Sequence, residues 1–97
     1  MIVLIREAAY RDLAGIFEWI ARESPRSADH VVDRILANIE RLGRFPFLGH
    51  AGRVADTKEW IVPRLPYIVV YRVDAERDEL HVVAVFHAAQ DRDHQNR

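Results

Sequence analysis

Residues 60–91 decide the fold. They read WIVPRLPYIVVYRVD (60–74), AERDE (75–79) and LHVVAVFHAAQD (80–91). Two β-branched, apolar runs flank a charged turn from Asp74 to Glu79, the pattern of a strand, a polar reversal and a second strand. Side chains alternate between the two faces of a strand. On that alternation Leu80, Val82, Ala84 and Phe86 share a wholly apolar face that should meet the rest of the core, and His81, Val83, Val85 and His87 share the other. In the preceding strand Ile68, Val70 and Arg72 fall on one face, and Tyr67, Val69, Tyr71 and Val73 on the opposite one. A core does not accept an unpartnered Arg. Arg72 is therefore expected on the open face beside His81 and His87, provided no β-bulge interrupts the pairing.

Working outward from the hairpin, Lys58 to Val62 reads as a further strand stopped by Pro63. Phe45 to Thr57 contains Pro46, Gly49 and Gly52 without periodicity and reads as a loop. Before it, Ala28, Val31, Ile35, Ile39 and Leu42 form the apolar stripe of a helix starting at Pro25, with Ser24 as N-cap and Pro at the first position. Gly43 is expected to cap its end, and Pro46 prevents continuation. Glu7 to Glu23 is a second amphipathic segment, with Tyr10, Leu13, Phe17 and Ile20 on one face and Ile16 and Trp19 widening it. Gly15 within it costs about 1 kcal/mol relative to Ala, and a close backbone approach is one reason to keep it. The short break at residues 23–25 joins the two helices as an antiparallel hairpin. Ile2 to Arg6, with successive apolar residues, is expected to be an interior strand. The order β-α-α-β-β-β predicts an α+β fold, an antiparallel sheet with the helical hairpin packed on one face. Residues 1–90 form one expected domain, followed by a polar C-terminal tail at residues 91–97 that is expected to fray.

Composition narrows the classes. The 97 residues carry no cysteine, which excludes disulfides and thiolate metal sites and suits a reducing cytoplasm, the expected location. The longest apolar runs are strand-sized, so no membrane span is expected. The N-terminal residues lack the basic region and cleavage site of a signal peptide. Net charge is −1, whereas domains that bind nucleic acid through its phosphates are usually basic. A nucleic-acid role would require a local basic patch. His30, His50, His81 and His94 show no metal-ligand spacing, so neither a metal nor a cofactor is expected.

The element order, the length near 100 residues, the run from Leu65-Pro66-Tyr67 through Tyr71-Arg72 to Phe86-His87, and the turn from Pro46 to Gly49 together resemble the RelE/ParE family of bacterial toxins. The likeness in architecture covers nearly the whole chain, and its motifs are specific over residues 45–91. It implies the toxin of a type II toxin–antitoxin module, with a cognate antitoxin whose C-terminal segment wraps and neutralises it. It also implies one of two activities. RelE-like toxins cleave mRNA in the ribosomal A site, and ParE-like toxins poison DNA gyrase without chemistry of their own. Metal-free RNA cleavage needs an acid or base and cations to hold the developing phosphorane charge. By position His87 is the candidate acid or base, and Arg72 the candidate charge stabiliser. Arg53, Lys58 and Arg64 are candidate phosphate ligands. However, many RelE-like enzymes are strongly basic, and some carry a catalytic Tyr at or just after the last strand. Here His87 is followed by Ala88-Ala89-Gln90-Asp91 and the chain is slightly acidic. These departures incline the reading to ParE-like inhibition by binding, with an inactive, antitoxin-binding relative as a third alternative.

Each candidate also has a plainer reading. His87 can be structural, Arg72 can sit in an ion pair, and His30, Arg34, Arg41 and Arg44 along the second helix read as a solvated face. Tyr10, Phe17, Trp19 and Trp60 are expected to be mostly core, with some of them forming an antitoxin groove.

Overall fold

The computed structural model describes residues 1–90; the expectation for the tail at 91–97 lies outside the described residues. Seven elements follow in order: β1 (Ile2–Ile5), α1 (Glu7–Ala21), α2 (Pro25–Arg44), β2 (His50–Ala51), β3 (Lys58–Ile61), β4 (Tyr67–Asp74) and β5 (Glu79–His87). They form a five-stranded sheet of order β1-β5-β4-β3-β2 with two helices, an α+β fold.

Local chemistry sets the helix ends. The Ser24 hydroxyl accepts the Ser27 N–H at 3.2 Å, with Pro25 in the first turn, as expected. Arg41 and Arg44 lie in the last turn of α2, where cations complement the helix dipole. Gly43 is not a cap, because the helix runs through it to Arg44. It is buried instead because the β1 strand passes close by: a Cβ there would lie 2.6 Å from Val3 Cγ2. Gly15 shows the reverse. Nothing lies within 4 Å of its would-be Cβ, so close packing does not explain it.

The core lies between the helices and one face of the sheet. Ala9 and Leu13 of α1 and Ile35, Ile39 and Leu42 of α2 meet Val69, Tyr71, Leu80, Val82 and Val85. Trp60 packs at the margin of this core, and its indole N–H donates to Asn38 Oδ1 at 3.1 Å, tying β3 to α2. Arg34, expected on a solvated face, is half-buried and reaches over to donate to the Pro63 carbonyl at 2.9 Å.

The sheet departs from expectation in two respects. β1 is an edge strand, not an interior one: it pairs only with β5, and Ile2 is 60% exposed. The sheet is also mixed, because β1 and β5 run parallel. The cause is β2, two residues inside the segment read as a loop, paired antiparallel to β3. Counting one reversal of the chain per connection, six elements would leave the first and last strands antiparallel. A seventh makes them parallel.

Candidate functional site

The β4–β5 ladder pairs Tyr67 with His87, Ile68 with Phe86, Val69 with Val85 and Val70 with Ala84, then shifts so that Tyr71 faces Val82 and Arg72 faces His81. Val83 has no partner residue. It is a β-bulge, two residues opposing one, and it inverts the alternation beyond it. Leu80 and Val82 face the helices as expected, but from Ala84 onward the faces exchange. Val85, fully in the core, and His87, beside Tyr67, lie on the helix side, while Ala84 and Phe86 lie opposite.

The bulge separates the two residues on which RNA cleavage would depend. Arg72 is exposed on the helix-free face, in register with His81. His87 is on the helix side, five paired positions further along the ladder, about 17 Å away at roughly 3.3 Å per residue. Its imidazole is engaged locally. Nδ1 accepts the Ala89 N–H at 3.0 Å, and the Tyr67 ring meets it edge-on at 5.3 Å between centroids. A ring nitrogen that accepts a backbone N–H carries no proton, so the neutral ring holds its proton on Nε2. The His87 N–H donates to Gln90 Oε1 at 2.7 Å, and the Gln90 N–H returns to the His87 carbonyl at 2.9 Å.

The three candidate phosphate ligands are dispersed. Lys58 begins β3, with Nζ 5.3 Å from the Phe47 ring centroid. Arg53 lies in the β2–β3 turn, where its N–H donates to Oε2 of the buried Glu59 at 3.1 Å. Arg64 is exposed in the β3–β4 turn at φ 66°, at the other end of β3 from Lys58.

The aromatic candidates divide between two hollows and the core margin. Tyr10 and Phe17 line an apolar groove of about 230 Å³ between α1 and α2, with Ile5, Leu13, Val32 and Leu36. Trp19 lines a larger, mixed hollow of about 850 Å³ between α1 and the end of β5, shared with Arg11, Asp12, Tyr67, His87 and Gln90. Tyr10 and Trp19 are each 68% exposed, so neither is core. Trp60 is the aromatic of the four that ties β3 to α2, and it lines neither hollow.

Two polar features went unread in the sequence. The Asp12 carboxylate on α1 accepts the Val85 N–H at 2.9 Å, and burial pushes its pKa above the usual carboxylate range, partly offset by that hydrogen bond. Its signal was available: Asp12 shares the widened helix face with Ile16 and Trp19, at spacings of four and seven. On the opposite side of the sheet, the β4–β5 hairpin gathers Asp74, Glu79 and His81, whose ligand-capable atoms lie within 4.8 Å of one another. The linear spacing of the histidines concealed this, because Asp74 arrives from across the ladder. The group is already engaged by its own contacts. His81 Nε2 is 3.0 Å from Glu79 Oε1, Asp74 pairs with Arg77, and Arg6 and Arg72 line the adjacent hollow.

Comparison with known proteins places this architecture. The family described as ParE toxin of type II toxin–antitoxin system, parDE, matches residues 3–92. Y4kP of Sinorhizobium fredii, a candidate toxin by its description, is 33% identical over 82 residues, covering 84% of this chain and 82% of that protein. A structure of the chromosomal ParDE toxin–antitoxin system from P. aeruginosa superposes with a TM-score of 0.78 at 19% identity, covering 90% of this chain and 95% of that one. The intact E. coli RelBE toxin–antitoxin complex gives 0.65 at 15% identity, covering 92% and 98%. On the family match and the identity to Y4kP, the chain belongs to the ParE toxins of type II toxin–antitoxin systems, within the RelE/ParE superfamily.

Proposed function

We propose that this chain arrests growth by binding its target rather than by cutting RNA, that the target is DNA gyrase, and that a cognate antitoxin neutralises it. One observation carries the non-enzymatic reading: Arg72 and His87 stand on opposite faces of the sheet. General acid–base and electrostatic catalysis require both groups within hydrogen-bonding reach of one phosphate. A rotamer change does not move a side chain through a sheet. His87 is in addition held by the Ala89 amide and the Tyr67 ring, which is sufficient reason for a His at this position.

The antitoxin reading rests on the two hollows along α1. Tyr10, Phe17 and Leu36 offer the apolar groove an amphipathic helix needs, and Trp19 flanks the end of β5, where an extended segment has room. The target is engaged in the cytoplasm, the expected location, by a surface apart from these hollows.

The test is to induce the chain without its antitoxin, map mRNA 5′ ends shortly afterwards, and assay purified gyrase for supercoiling. The binding reading expects arrest with intact messages, arrest unchanged in His87→Ala, and loss of supercoiling. New 5′ ends within translated codons that vanish in His87→Ala would replace it with the RelE-like nuclease. Absence of arrest would leave an antitoxin-binding relative.

A further inference from the structure

Among the described residues, three of the large apolar side chains that stand exposed sit in one four-residue turn after α2: Phe45 (56%), Phe47 (72%) and Leu48 (38%). The turn closes with the Leu48 N–H on the Phe45 carbonyl at 3.2 Å. It is fastened to the sheet from beneath. The buried Tyr71 hydroxyl donates to the Pro46 carbonyl at 2.8 Å and accepts the Gly49 N–H at 2.9 Å. A Cβ at Gly49 would lie 2.5 Å from that hydroxyl, so only glycine lets the chain pass this close. The two phenyl rings are thus held outward by an anchored backbone, and part of the ordering cost of an interface is already met.

Two cations adjoin the turn. The Lys58 ammonium lies 5.3 Å from the Phe47 ring centroid, and Arg44 immediately precedes Phe45. Both are positive on a chain whose net charge is −1. The adjacent Glu59 is turned inward and buried. An apolar centre with a charged rim is the anatomy of a protein-binding hot spot.

We infer that the Phe45–Leu48 turn with Lys58 and Arg44 is the surface that engages the target, and that the complementary surface is a protein pocket of apolar side chains rimmed by carboxylates. The inference rests on the binding-toxin reading above. Protein fits better than nucleic acid, because Leu48 has no ring for a base to stack on and the chain as a whole is not basic. None of these residues lines either hollow along α1, so target and antitoxin would occupy different surfaces.

The experiment compares wild type with Phe47→Ser, Phe45→Ser, Lys58→Glu and Lys58→Arg, each first shown by circular dichroism to melt cooperatively. Growth arrest on induction, inhibition of purified gyrase and binding of a labelled single-stranded oligonucleotide are then measured. Expected is loss of arrest in the Ser and Glu variants, with at least a roughly 10-fold higher concentration for half-inhibition of gyrase, the size of a truncated hot-spot contact. Lys58→Arg should stay near wild type. Folded Ser and Glu variants as potent as wild type would overturn the inference. If wild type leaves gyrase untouched but only the Ser and Glu variants lose arrest, the surface stands and the gyrase reading falls. If wild type does not arrest growth, both fall. Oligonucleotide binding abolished by Phe47→Ser would replace the protein partner with nucleic acid.

Discussion

Replacing Tyr71 with Phe removes one oxygen and two hydrogen bonds while leaving the buried ring in place. The hydroxyl bridges the Pro46 carbonyl and the Gly49 N–H at 2.8 and 2.9 Å, and Tyr71 is 0% exposed. Each hydrogen bond is worth about 1 kcal/mol net, and a buried partner left unsatisfied costs about 1–3 kcal/mol. Gly49 is buried, so its N–H is left unsatisfied, whereas Pro46 is half-buried and its carbonyl regains some hydration. The expected loss is about 2–3 kcal/mol, a substantial part of the roughly 5–15 kcal/mol that holds a domain folded. For a chain of this length that lowers Tm by about 8–24 °C. Urea titration at pH 7 gives the free energy, and amide exchange at Gly49 reports whether the turn itself has loosened. Alkaline pH supplies a sign check. Burial raises the Tyr71 pKa, so above about pH 10 the unfolded chain releases a proton that the folded chain retains. Wild-type stability then falls as pH rises, by a contribution that Tyr71→Phe lacks, and the gap between the two proteins narrows. A loss below about 0.5 kcal/mol at pH 7, or a gap that widens with pH, would refute the account of the clamp.

Gly15→Ala should stabilise the fold by about 0.5–1 kcal/mol, read as a Tm rise of a few degrees, since its Cβ meets nothing within 4 Å. Gly43→Ala should do the opposite and cost about 1–3 kcal/mol, because Val3 or β1 must shift to admit the methyl. Asp12→Asn keeps an oxygen for the Val85 N–H and sheds a charge that burial disfavours. The folded state holds the Asp12 proton more tightly than the unfolded state, so the carboxylate's destabilising effect is present near pH 7 and absent below about pH 4. The variant's urea midpoint should exceed wild type at pH 7, and the difference should close in acid. His87→Ala forfeits the acceptor for the Ala89 N–H and the Tyr67 contact, so it should melt somewhat earlier yet still arrest growth, as scored by colony counts after induction.

Periodicity made most of this fold legible. The α2 stripe of Ala28, Ile35, Ile39 and Leu42 is buried as its spacing requires, and Ser24-Pro25 starts the helix. Hydrophobic burial acts on every residue of an element, so its pattern survives in the sequence. The errors came from single-residue events that leave no pattern. β2 is two residues long, and the residue before it, Gly49, is held by the Tyr71 hydroxyl, a contact across 22 positions. Val83 looks like any other residue of an apolar strand, and alternation arguments hold only while the register is unbroken. Tyr10 and Trp19 fit the groove-lining alternative rather than the core one, though large aromatics usually bury. Here α2 and the sheet cover the other face of α1, and the faces carrying these two side chains border open hollows.

The bulge is best understood together with the end of β1. That strand pairs with β5 only from Glu79 to Val82, and its last backbone contact is the Arg6 N–H on the Val82 carbonyl at 2.9 Å. The chain then turns into α1, and the next residue of β5 is the bulged Val83. Beyond it no strand among the described residues lies beside the β5 edge, which would leave the Val85 and His87 N–H groups open to pairing with another chain. Both are taken by side chains, Val85 by Asp12 from α1 and His87 by Gln90. The extra residue in β5 therefore coincides with a change of neighbour, from a strand to a helix carrying a carboxylate. It puts Val85 into the core and His87 beside Tyr67 on the helix side, away from Arg72. A His at the end of the last strand is consequently weak evidence for catalysis in this architecture. Whether it faces the helices or the Arg-bearing surface depends on one residue of register, and a motif match does not see that residue.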